Sequence, residues 1–130
     1  MMQEINRLKL IGKNIEDLKT ISAYCQDSIV KIKDLVYLKE NKMFIMMLSR
    51  FMWEDIEKGV FRKYKRIKSV LKFNFIEKAQ AKNINQQNQN RNLELLTIKC
   101  SYNSINNLYN VNLVFSGSSA LLLNSEEIDV

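Results

Sequence analysis

Histidine and proline are both absent from this chain, and only three glycines and two cysteines occur in its 130 residues. Without histidine there is no imidazole general base, and no ordinary partner for a serine or cysteine nucleophile. The two cysteines, Cys25 and Cys100, stand far apart, whereas a zinc motif needs four Cys or His ligands at set spacings. No metal and no cofactor are therefore expected. Gly12, Gly59 and Gly117 are too dispersed to build a phosphate-cradling loop. Long apolar runs are missing too. The longest, residues 43–48, falls far short of the roughly 18 residues that suggest a membrane span, so no membrane partner is expected. Near the start, residues 8–11 are too short and too interrupted by Lys9 to serve as the core of a signal peptide. These features lead to the expectation of a cytoplasmic protein with reduced thiols, each cysteine acting as a small buried hydrophobe.

What is present suits one globular domain spanning residues 1–130. The net charge of +6 permits binding to nucleic acid or another polyanion without requiring it. Part of that charge is discounted, because abundant Lys, Asn and Ile beside scarce Gly and Pro is also what AT-rich codon usage produces.

The hydrophobic pattern changes period once. Residues 8–11 read as a short strand. Asn14 then resembles a helix N-cap, with Glu16 and Asp17 in the first turn. Ile15, Leu18, Ile21, Ser22 and Cys25 recur at three- and four-residue spacing, which predicts a helix over 15–26. From Ser28 onward the period moves toward two. Strands are expected at 28–33, 35–38 and 43–51, the second and third joined by the polar turn 39–42. The 43–51 segment is apolar on both faces, which predicts a central strand covered on both sides. A helical turn is expected at 53–59. Residues 61–82 read as one long extended stretch whose alternation shifts phase at Phe75-Ile76, predicting a bulge or sharp bend. Residues 83–92 are almost entirely Asn and Gln and read as a solvated loop. Further strands follow at 93–102, 109–115 and 120–123, with a hairpin turn at 116–119. Residues 126–129 look ready to start a helix. The order predicts an α+β fold: one N-terminal helix on an antiparallel, strongly bent sheet or partly closed barrel.

Several segments carry a resemblance: 8–11, Glu16-Asp17-Leu18, Ile21-Ser22-Ala23, the stretch 26–31, Asp34-Leu35 and Arg50-Phe51-Met52-Trp53-Glu54. In that order they resemble a family of alphaproteobacterial proteins known as domain of unknown function 2948. The likeness is best over 8–55 and continues through 71–73 and 111–117. It implies a bacterial cytoplasmic protein and supplies no activity. This chain differs from the family in its Asn/Gln tract, and in ending where a short C-terminal helix is expected.

Three constellations are candidates for function. Arg50, Trp53 and Glu54 either pin a strand end through an ion pair or line a ligand pocket, with Arg50 gripping an anion and Trp53 forming a stacking wall. Gln26 and Asp27 occupy a helix-to-strand corner, where Asp27 either accepts backbone N–H bonds or serves as a ligand contact. Lys58, Arg62, Lys63, Lys65, Arg66, Lys68 and Lys72, with Tyr64 among them, form the main charge cluster. Such a cluster could track phosphates and stack a base, or it could be a solvated edge that blocks sheet-to-sheet aggregation. Adjacent acidic pairs such as Glu16-Asp17 and Glu126-Glu127 diverge in space and make poor metal sites.

The leading expectation is a non-enzymatic interaction or binding module, with an unknown protein partner or a second copy of the chain. The alternatives are a nucleic-acid or polyanion binder using the basic segment, and an enzyme with carboxylate, Lys or Tyr chemistry.

Overall fold

The computed structural model describes residues 10–51 and 66–130. The expected turn at 53–59 lies outside them, as do Leu8 and Lys9 of the first predicted strand. Within them the elements run α1 (Ile15–Cys25), β1 (Ser28–Lys31), β2 (Leu35–Leu38), β3 (Met43–Phe51), β4 (Arg66–Phe73), β5 (Ile76–Lys82), β6 (Asn92–Asn103), β7 (Leu108–Phe115) and β8 (Ala120–Ser125). The helix begins as its sequence predicts. The Asn14 side chain accepts the Asp17 N–H at 2.8 Å, and the Asp17 carboxylate accepts the Lys13 N–H at 2.9 Å, so two otherwise orphaned donors are satisfied.

The strands form one sheet, ordered β2-β3-β1-β6-β7-β8-β5, with β4 on the other edge of β3. Every pairing in it is antiparallel. The sheet curls into a nearly closed barrel with one unsealed seam, between β2 and β5 at the two ends of the path. The fold is α+β with a partly closed barrel, as the change of period implies.

The bend at Phe75 explains the curl. Phe75 takes a left-handed conformation (φ 59°), and the ladder register slips between Ile76 and Lys78. On one side of the bend the chain pairs with β3, and on the other with β8. The predicted long strand of 61–82 is thus, in its described part, two strands that serve opposite margins of the barrel.

Inward-facing residues alternate as expected. Phe44, Met46 and Leu48 of β3, Leu93 and Leu95 of β6, Val111, Leu113 and Phe115 of β7, and Leu121 and Leu123 of β8 fill the interior. The helix adds Leu18, Ile21 and Cys25 to the same core. A second bulge lies between Leu95 and Thr97 of β6, and the Ile98 N–H there is taken by the Ser22 hydroxyl of α1 at 2.9 Å.

Four sequence expectations are corrected. Leu10 and Ile11 are not in a strand; instead Gly12 exchanges two backbone hydrogen bonds with Val130 (2.9 and 3.0 Å). The 28–33 strand stops at Lys31, because a 3-10 turn at Ile32–Asp34 redirects the chain. The second face of β3 is not fully covered, since Met47 is 49% exposed on the outside of the barrel. Residues 126–129 do not start a helix. Their backbone is engaged elsewhere: Asp129 accepts from the Asn74 N–H at 2.8 Å, and the Glu126 N–H donates to Phe75 at 3.0 Å.

Candidate functional site

The seam is pinned at one end. The Tyr37 hydroxyl donates to the Ile76 carbonyl at 2.9 Å, and the Ile76 N–H donates to the Lys42 carbonyl at 2.8 Å. Lys42, itself left-handed (φ 51°), adds ion pairs to Glu77 and Glu126, both 2.8 Å. At the other end the Asn/Gln loop crosses the opening. It is held by its backbone: the Ile32 N–H donates to Arg91 at 3.1 Å and the Lys33 N–H to Gln89 at 3.0 Å.

Between these ends lies a cleft of about 260 Å³. Its walls are Leu35 and Tyr37 of β2, Phe44 of β3, Ala79 and Ala81 of β5, and Leu121 of β8. Gln86 and Gln89 border it from the loop, where the Gln89 side-chain amide donates to the Gln86 carbonyl. The hollow has a simple cause. Ala79 pairs with Leu123 and Ala81 with Leu121, so both alanines lie on the sheet face of those core residues; Ala79 is half-buried against the core and Ala81 is exposed at the open margin. Beyond Ile76, which is buried in the core, β5 offers that face only these two methyl groups, where the other strands carry Leu, Val or Phe. Tyr37 is the one ionisable group in the cleft lining.

The residues singled out from sequence do not meet there. Arg50 points inward from β3 and is buried. Its Nε donates to the Ser69 hydroxyl at 3.0 Å and its Nη1 to the Phe51 carbonyl at 3.1 Å. It shares a small space of about 80 Å³ with Tyr24 and Cys25 under the helix. Burial raises the Cys25 thiol to about 11, and the nearby Arg50 charge partly opposes that rise. Trp53 and Glu54 lie outside the described residues. Gln26 caps the C-terminus of α1. Asp27 is left-handed (φ 62°), and its backbone makes the corner's bonds: its N–H donates to Leu95 at 2.8 Å and its carbonyl accepts from Arg66 at 3.2 Å.

Of the basic cluster, Lys58, Arg62, Lys63, Tyr64 and Lys65 also lie outside the described residues. Arg66 has structural partners. It covers the Phe51 ring at 3.8 Å and donates to the Ser49 carbonyl at 3.0 Å as well as to Asp27. Lys68 and Lys72 are exposed on the outer face of β4. Among the described residues, no three His, Cys, Asp or Glu side chains gather as a metal site would require. No helix among them is long and apolar enough to cross a membrane.

The ordered run from the Glu16-Asp17 helix start to the Ser116-Gly117 turn is matched as a whole by one family model covering residues 8–130, described as protein of unknown function (DUF2948). The chain belongs to that family. No curated protein and no solved structure matches it.

The cleft residues were not legible as a group, because they come from four separated stretches of sequence, 32–37, 44, 79–89 and 121. One signal was available: Ala79 and Ala81, both small and in phase, in a strand whose neighbours carry large residues. The alternation places them, but only the pairing with β8 shows that they face a cavity.

Proposed function

We propose that this chain is a non-enzymatic binding module whose receptor is the seam cleft. The observation that supports this reading is the pair Ala79 and Ala81, whose small side chains leave a cleft along the open margin of the barrel beside the core. Cavities of this kind, with apolar walls and a few polar groups at the rim, are the usual form of a small-molecule site. Its composition selects the ligand class. The apolar walls accept a hydrocarbon or flat aromatic body. Gln86 and Gln89 at the rim and the oxygen of Tyr37 supply neutral polar groups, and among the described residues the cleft lining carries no carboxylate, lysine or arginine to hold a charged group. A volume of about 260 Å³ suits a small uncharged compound.

The test is to titrate isotopically labelled protein with a library of small uncharged fragments and map the shifted amides. Hits are expected to cluster on Tyr37, Ala79, Ala81 and Ile84. Ala81→Leu should fill the hollow, abolish those shifts, and leave the melting temperature unchanged or raised. Fragments that bind equally well to the Leu variant would refute the assignment.

A further inference from the structure

A second concave site lies on the outside of the barrel, where β1 and β2 part company along β3. Both lie on the same side of β3. Ile29 of β1 meets Ser49, while Leu35 to Leu38 of β2 meet Met46 to Met43. The 3-10 turn between them carries the chain away from β3 and leaves a fork of about 340 Å³. Lys31 and Lys33 stand on one wall of this fork and Lys68 of β4 on the other. Asn92 adds an amide, and Ile29 and Met47 form an apolar floor. Both floor residues are exposed on the outer face.

Charge decides what fits. Three ammonium groups line the fork against a single carboxylate, Asp34. Among the described residues none of the three lysines has an acidic side chain within ion-pair distance, whereas Lys13, Lys19 and Lys42 all do. Like charges left unpaired around one concavity repel each other, and an anion relieves that repulsion. A monoanion would leave the fork cationic, whereas a group with two or more negative charges neutralises it. Asp34 borders the cations within the fork and Glu94, paired across the ladder with Ile29, borders them on β6, while Lys72 continues the positive face along β4.

We infer that the fork formed by Lys31, Lys33 and Lys68 over the Ile29 and Met47 floor binds a compact polyphosphate anion of the nucleoside di- or triphosphate class. The phosphates sit among the ammonium groups and Asn92, and the base lies on the apolar floor. This site shares no lining residue with the seam cleft, so either assignment can fail without the other.

Calorimetric titration with ADP, ATP, inorganic triphosphate and adenosine tests it. ATP and ADP should bind at low salt and weaken steeply as ionic strength rises toward about 0.15 M. Inorganic triphosphate should bind more weakly than ATP, because it leaves the floor uncovered, and adenosine should not bind measurably. Lys31→Ala with Lys68→Ala should weaken ATP binding by about tenfold or more, while Lys19→Ala on α1 leaves it unchanged. The lysines are exposed, so circular dichroism of the double variant should match the parent; if it does not, Lys68→Glu alone carries the test, with the same loss expected. Absence of binding at low salt overturns the inference, as does binding indifferent to Lys31 and Lys68. A short single-stranded oligoribonucleotide that binds where ATP does not would also overturn it, in favour of an extended surface.

Discussion

At the scale of single residues, the buried polar groups divide into those with partners and those without. Arg50 is tied to Ser69 and to the Phe51 carbonyl, while the Ser28 hydroxyl is fully buried with no hydrogen-bond partner among the described residues. Cys25 couples its burial to pH. Its thiol is shifted from 9.0 to about 11 by burial, against the smaller effect of Arg50. When folded it therefore keeps its proton at pH values where the unfolded chain has lost it. The stabilisation from the neutral thiol is constant below about pH 9 and declines as pH rises from about 9 to about 11, at roughly 1.4 kcal/mol per pH unit. Denaturant unfolding across that interval should show a shallower decline for Cys25→Ala than for the parent, whatever the alanine costs at neutral pH. Parallel slopes would mean that the thiol is hydrated in the folded state.

At the scale of elements, the contact between α1 and β6 depends on a compensated irregularity. The bulge at Leu95 to Thr97 takes the ladder out of step, and Ser22 supplies the acceptor for the Ile98 N–H. Ser22→Ala should cost about 1–2 kcal/mol in urea denaturation, because it leaves a buried donor unmet; an unmoved midpoint would mean that water reaches that N–H. Elements of this kind were partly legible in advance. The alternation of residues 109–115 and 43–51, and the phase shift at Phe75-Ile76, were written in side-chain periodicity, which reports directly which face of a strand is buried. The errors fell where backbone bonding outweighs local preference. Glu126-Glu127-Ile128-Asp129 has helical character, yet Ile128 is drawn into the core and the flanking amides and carbonyls bond to Phe75, Asn74 and Gly12. Leu10 and Ile11 alternate no further because their neighbour Gly12 pairs with the other end of the chain. Lys31, Lys33 and Lys68 were unreadable as a set for a similar reason: only the register of β1 and β4 against β3 brings them to one fork.

At the scale of the molecule, residues 126–130 act as a clasp. They join the approach to α1 with the β4–β5 bend through Gly12, Val130, Asp129 and Asn74, helped by a 3.0 Å ion pair from Lys13 to Asp129. Ile128 is the apolar anchor of this clasp at 5% exposure. Ile128→Ala should lower global stability by about 2–4 kcal/mol. The amides of Gly12, Asn74 and Val130 should then lose hydrogen-exchange protection together, since they belong to one fastening. Loss at Val130 alone, with an unchanged unfolding midpoint, would show the clasp to be a separate, weakly coupled unit.

The Asn/Gln loop over the seam divides its labour between main chain and side chain. Its anchorage to residues 32 and 33 is made by main-chain carbonyls, which every residue possesses, while the Asn83 side chain donates to the Ser118 carbonyl of the β7–β8 turn and the Asn85 side chain accepts from the Gln87 N–H. Gln86 and Gln89 instead border the hollow. Substitution of Gln86 should therefore change the rim of the hollow while the main-chain anchorage of the loop stays in place. The frame of the opening and the chemistry of its rim are thus set by different atoms of one short stretch of chain.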